Sequence, residues 1–329
     1  FQAEDGIRDS STSRGLGDVY KRQVYKSTKS QCERSFRIAQ NVFGKSVIEL
    51  IPNWWPNREK SKFIGVDNYA WHIQKFGAGS TRLLLIHGTG ASSHSWFPLT
   101  ETLKLEFEIL SLDLPGHGFT RALKRQKKQL NIIVDQMNSL LKEIDFYPDL
   151  ILGHSAGAAI AYELAKKMGT KTNTIAINAA FGQFSGLAGL AFPYFAKIAA
   201  STTISARLLN LLANKEELVR KLLFSTGSII PEEQIRCYQY LFSSPEHVDG
   251  TLQLMADWDL GNFLDQLPQD TAPIHFLVGG KDKTVPSHIS ESWKKVMRNS
   301  ILTEYKDLGH LMHEEDPSAV SSILRSKTK

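Results

Sequence analysis

Apolar runs of strand length recur along this chain and alternate with amphipathic stretches of helical period. Arg82–His87, Phe107–Leu112, Leu150–Leu152, Thr174–Asn178 and Ile274–Val278 are nearly continuous in apolar residues. Strands buried on both faces of a parallel sheet have this character. Leu302–Lys306 is more polar and is expected near a sheet edge. Upstream, Lys62–Val66 and Ala70–Lys75 read as two extended segments, with Gly65 to Asn68 as a hairpin-like turn. Between the runs, Leu130–Ile144 places Ile133, Met137, Leu140, Leu141 and Ile144 on one helical face. Ala158–Met168 is Ala-rich and stops before Gly169; Ser287–Met297 and Ser318–Leu324 read as further helices. The alternation predicts an α/β fold with a mostly parallel central sheet and helices on both faces.

The pattern breaks between residues 183 and 260, which hold helical pieces such as Ile204–Leu212 and Glu216–Phe224 but no convincing buried strand. This stretch is expected to be a helical cap inserted between two parts of the core, 54–182 and 261–329. Residues 1–23 begin without Met, show neither period, and resemble translated adapter sequence; they are expected to add nothing to the fold. Residues 24–53 form an N-terminal extension of open role.

Composition narrows the function classes. A 42% hydrophobic content over 329 residues supports a large core, and the formal charge of +5 is mild for this size. Nucleic acid is therefore not an expected partner. The basic stretch Arg121–Lys128 is expected to be a solvated connector. The two cysteines, Cys32 and Cys237, have no metal-ligand spacing and suggest no disulfide framework, which fits a reducing, cytoplasmic setting. Gly186–Ala196 is apolar but too short to span a bilayer; it suits a membrane surface or the roof of a ligand cavity.

The chemistry is concentrated in four loops. Leu152-Gly-His-Ser-Ala-Gly157 has the G-x-S-x-G form, directly after an apolar strand and before an Ala-rich helix. That context marks Ser155 as a nucleophile on a strained turn. The backbone N–H of Ala156, after the nucleophile, and that of Thr89, in His87-Gly-Thr-Gly90, are the expected oxyanion donors. The usual chain order is serine, acid, histidine. Asp282 follows the strand Ile274–Val278 and His310 follows Gly309 after the last extended segment, so they are the expected acid and base. His313 competes with His310, whereas His154 and His117 lack the right chain position. No H-E-x-x-H or paired-cysteine motif occurs, so neither a metal nor a cofactor is expected.

Together these segments resemble the magnesium chelatase accessory proteins, α/β-hydrolase-fold proteins encoded with bacteriochlorophyll-synthesis genes. The resemblance starts near Trp55 and rests on Trp55–Glu59, His87–Trp96, Asp113–Thr120, Gly153–Ala159, Gly186–Gly189, Leu241–Val248, Met255–Leu260 and Leu308–Glu315. It implies a role around magnesium insertion into protoporphyrin in photosynthetic bacteria, with chelatase subunits as possible partners and a location at or near the photosynthetic membrane. A small apolar or porphyrin-like substrate is expected, with Trp96, His154, Phe184 and Trp258 as candidate contacts; Phe192, Tyr194 and Phe195 are further aromatics of the cap. Such aromatics also serve simply to seat a cap on its core. Three functions stay open: a serine hydrolase of this pathway, a non-catalytic porphyrin-binding or chelatase-assisting protein that retains a triad, and a general carboxylesterase.

Overall fold

The computed structural model describes residues 47–122, 124, 126–169, 172–182 and 216–328. The expectations for residues 1–23, most of 24–53, Phe184, Gly186–Ala196 and Ile204–Leu212 lie outside these residues.

Nine strands, β1 (Ser61–Val66), β2 (Tyr69–Phe76), β3 (Thr81–Ile86), β4 (Phe107–Leu112), β5 (Arg121–Ala122), β6 (Leu150–His154), β7 (Asn173–Ile177), β8 (Ile274–Gly279) and β9 (Ser300–Tyr305), form one sheet among the described residues. Their order is β1-β2-β4-β3-β6-β7-β8-β9, with the two-residue β5 beside β2. From β4 to β9 every pairing is parallel. The pairings of β2 with β1, β4 and β5 are antiparallel, and the tight turn Asp67-Asn68 joins β1 to β2. The expected strands are all present within one or two residues of their predicted ends, and β9 lies at the edge where its polar pattern put it.

The helices are α1 (Phe97–Leu103), α2 (Leu130–Glu143), α3 (Ala156–Met168), α4 (Glu216–Ser225), α5 (Glu232–Phe242), α6 (Pro245–Asp257), α7 (Gly261–Gln266), α8 (His288–Val296), α9 (Met312–Glu315) and α10 (Pro317–Ser326). Strand side chains alternate between two cores, as a period of two requires. Leu84, Ile86, Ile151 and Phe276 face the α2 stripe of Ile133, Met137, Leu140 and Leu141. Leu83, Leu85, Leu152 and Ile175 face Leu99 and Leu103 of α1 and Val320 and Leu324 of α10. Each such side chain, fully removed from water, contributes roughly 1.5–3 kcal/mol before entropy is counted. α10 starts where Asp316 accepts from the N–H groups of Ser318 and Ala319 and Pro317 occupies the first turn.

Helices α4, α5 and α6 lie in the chain between β7 and β8. Ile51 and Trp55, on the N-terminal side of the sheet, pack with Phe119 and with Cys237 and Leu241 of α5. The end of the N-terminal extension is therefore part of the packed structure. Of the basic stretch Arg121–Lys128, Ala122, Lys124 and Lys127 are exposed as expected, and its last residue departs from the expectation. Lys128 is buried, with Nζ donating to the Gly250 carbonyl at 3.1 Å and to Gln253 Oε1 at 3.0 Å. A lysine at the end of a charge run is exposed only when no acceptors lie opposite it, and sequence does not reveal the opposite side.

Candidate active site

The turn from β6 into α3 sets Ser155 at φ 52° and ψ −118°, a conformation a serine adopts only under constraint. Close backbone packing supplies the constraint. A Cβ on Gly157 would stand 2.4 Å from the His87 carbonyl oxygen, and one on Gly153 would stand 2.4 Å from that of Gly157. The motif glycines are thus the places where strand, turn and helix touch without side chains between them. Ser155 itself is partly exposed.

Across the turn, a Cβ on Gly88 would come within 2.9 Å of Ser155 Cβ, so the loop after β3 lies directly against the serine. Neither Thr89 N–H nor Ala156 N–H donates to a described residue. Ala156 opens α3, where unpaired N–H groups and the helix dipole favour negative charge. The loop is held by buried histidines. His87 accepts from Leu114 N–H at 2.9 Å through Nε2 and donates from Nδ1 to the Gly88 carbonyl at 2.7 Å. Burial lowers its pKa, which keeps the ring neutral for that pair of bonds.

At the ends of β8 and β9, His310 Nδ1 donates to Asp282 Oδ2 at 2.7 Å. Asp282 Oδ1 accepts from Thr284 and Val285 N–H at 2.7 and 2.8 Å, which fixes the carboxylate plane. The His310 side chain is 8% exposed and that of Asp282 fully covered. The His310 backbone is clamped too. Its carbonyl accepts from His154 Nε2 at 2.9 Å and from Asn178 Nδ2 at 2.8 Å, and Leu311 N–H donates to Ser228 Oγ at 2.8 Å. The His154 and His310 rings are 4.7 Å apart, so the His310 imidazole lies beside the residue preceding Ser155. No hydrogen bond joins the Ser155 hydroxyl to the imidazole in this structure.

Two of the expected ligand contacts, Trp96 and His154, need correction, while Trp258 keeps part of its surface. Trp96 is fully covered and stacks on His313 with ring centroids 4.4 Å apart, inside the core rather than on a ligand surface. His154 is 3% exposed and turned beneath the serine, where it holds His310. Trp258 is half-buried at the end of α6, packed on the core that contains Leu254, Leu260 and Phe263. Aromatic identity signals burial as readily as recognition, and only packing separates the two. His313, the rival base, is fully buried between Trp96 and His154 and has no carboxylate on its Nδ1. Sequence reasoning missed Asn178 and His247. Asn178 ends an apolar strand, the position at which ligand sites of open α/β sheets form. His247 carried no such signal.

The model of the alpha/beta hydrolase family matches residues 83–323, and the chain belongs to that family. Within it, the chain is similar to the magnesium-chelatase 30 kDa subunit of Rhodobacter capsulatus, at 33% identity over 83% of this chain and 96% of that protein. A second relative is the pimeloyl-acyl-carrier-protein methyl ester esterase of Nitrosospira multiformis, 26% identical over 68% of this chain and 84% of that protein. An esterase structure from Exiguobacterium antarcticum shares the fold, with a TM-score of 0.65 at 18% identity over 80% of this chain and 97% of that one. Among the described residues no helix is long and apolar enough to cross a membrane.

Proposed function

We propose that this protein is a serine hydrolase of an ester or related acyl bond, working beside magnesium chelatase in bacteriochlorophyll or porphyrin synthesis. The observation that carries the chemistry is the 2.7 Å bond from His310 Nδ1 to Asp282 beside the Ser155 turn. That bond leaves Nε2 as the unprotonated nitrogen, the form a general base needs. Ser155 Oγ attacks the acyl carbon while its proton passes to His310 Nε2. The oxyanion accepts from Thr89 and Ala156 N–H, the alcohol leaves with the proton from His310, and water, deprotonated by His310, releases the acid and restores the serine. Asp282 orients the ring and stabilises its charged form. The serine–imidazole hydrogen bond forms as substrate enters, as it commonly does in such sites.

The pathway half of the reading rests on the similarity to the chelatase subunit. That similarity also favours a second reading, a protein that assists the chelatase without hydrolysis. One experiment separates them. Fluorophosphonate labelling of the parent protein but not of Ser155→Ala supports an activated serine; an unlabelled parent ends the hydrolase reading. Restoration of pigment synthesis by Ser155→Ala in a strain lacking the gene selects the assisting role. A cytoplasmic location, peripheral to the photosynthetic membrane, completes the reading.

A further inference from the structure

Resting on the hydrolase reading, the geometry points to His247 as a positioning residue of the oxyanion hole, through which the inserted helix α6 aims the Thr89 N–H. The Thr89 N–H shares a peptide unit with the Gly88 carbonyl, and with a glycine on either side its direction is set by what holds that carbonyl. Two groups hold it: His87 Nδ1 donates to the Gly88 carbonyl at 2.7 Å and Ala91 N–H donates to it at 3.3 Å. The Gly90–Ala91 peptide unit that supplies this second donor is held in turn from the inserted segment: His247 Nε2 donates to its Gly90 carbonyl at 3.2 Å. The opposite ring nitrogen, Nδ1, accepts from Gly118 N–H at 2.9 Å. Both bonds together require a neutral ring with its proton on Nε2. Full burial, which pushes the His247 pKa down to about 3, keeps it so.

The anchor is stiff. One turn after His247, Gly250 meets Gly116 backbone to backbone; a Cβ on Gly250 would stand 1.9 Å from the Gly116 carbonyl oxygen. The distance from α6 to the loop after β4 is thus set by main chain, not by an adjustable side chain. Gly90 itself has φ +79°, and the atoms nearest its missing Cβ are Phe242 Cζ of α5 and Thr251 Cγ2 of α6, each at 3.8 Å. The loop therefore takes its shape partly from helices that contribute no strand to the sheet and no group to the reaction. A displacement of about 1 Å in a group that stabilises the transition state costs on the order of 100-fold in rate.

The test is the split between kcat and KM for hydrolysis of p-nitrophenyl acetate, with the second-order rate of fluorophosphonate labelling beside it. His247→Ala, His247→Asn and His247→Gln are compared with the parent. Gln sets an amide N–H near the Nε2 position and restores donation to Gly90; Asn sets an oxygen near Nδ1 and restores only acceptance from Gly118. The expected result is a 10- to 100-fold fall in kcat and in labelling for Ala and Asn, with KM within about 3-fold, and recovery to within about 5-fold of the parent in Gln. Thermal midpoints for Asn and Gln within a few degrees of each other exclude simple unfolding as the cause. Retention of kcat in Ala and Asn overturns the role, and so does a Gln variant as slow as Ala or an effect carried by KM. A parent that neither labels nor turns over ends the hydrolase reading and His247's role with it; a labelled parent with unaffected variants ends only the latter.

Discussion

Asn178 donates its side-chain amide to the backbone carbonyl of His310 across 2.8 Å and to that of Gly309 across 3.0 Å. Its Oδ1 accepts from Gly279 N–H at 2.8 Å. One side chain thus joins the ends of β7 and β8 to the loop that carries the candidate base. Asn178→Asp keeps the acceptor but sets a carboxylate oxygen against two carbonyls. We expect it to lower kcat roughly 10- to 100-fold and to lower the thermal midpoint, since each buried group left unpaired costs about 1–3 kcal/mol. Ester hydrolysis and thermal melts check both.

Asp282→Asn is expected to leave the Thr284 and Val285 N–H groups paired through its oxygen. Its amide would then meet His310 Nδ1 as a donor and force the proton to Nε2, the wrong side for a base. The expected loss is on the order of 10⁴ in kcat with KM nearly unchanged. A loss below 10-fold, measured with p-nitrophenyl esters, would remove the acid role.

Gly157→Ala is expected to destabilise by at least about 2 kcal/mol, because its Cβ would stand 2.4 Å and 2.5 Å from the backbone oxygens of His87 and Ile86. Gly261→Ala, whose nearest neighbour is Asp259 Oδ1 at 3.4 Å, should leave the midpoint unchanged or slightly higher. Urea unfolding of the two variants gives the comparison.

Glu314 is fully buried, with Oε1 accepting from Tyr238 at 2.7 Å, and burial pushes its carboxyl up to about 8 from 4.5. A raised folded-state pKa gives stability that is full below about 4.5 and lost as pH rises through 8. Glu314→Gln removes that loss. The midpoint of the variant minus that of the parent should climb from pH 5 to pH 8 and level off above. His313 works in the opposite sense: burial holds its pKa down to about 3, so its contribution is present above 6.5 and lost as pH falls toward 3. A difference curve that is flat between pH 5 and 8 would show Glu314 ionised in the folded protein.

The sheet, its mostly parallel sense and the turn that bears Ser155 were legible because each depends on local signals: apolar runs of strand length, glycines where backbones touch, and a helix beginning at Ala156. The pairing of Asp282 with His310 was also expected, since chain order and position at strand ends narrow the choice to few residues. Trp96, His154 and Lys128 were misread as exposed, and His247 was missed, for one reason. Whether Trp96 faces a cavity or His313, whether Lys128 faces water or the carbonyl of Gly250, and whether His247 meets solvent or Gly90 depends on residues distant in sequence. Periodicity along one segment fixes which side of that segment is apolar. Only the tertiary structure decides what lies on the other side, because burial and hydrogen-bond partners are properties of two surfaces brought together.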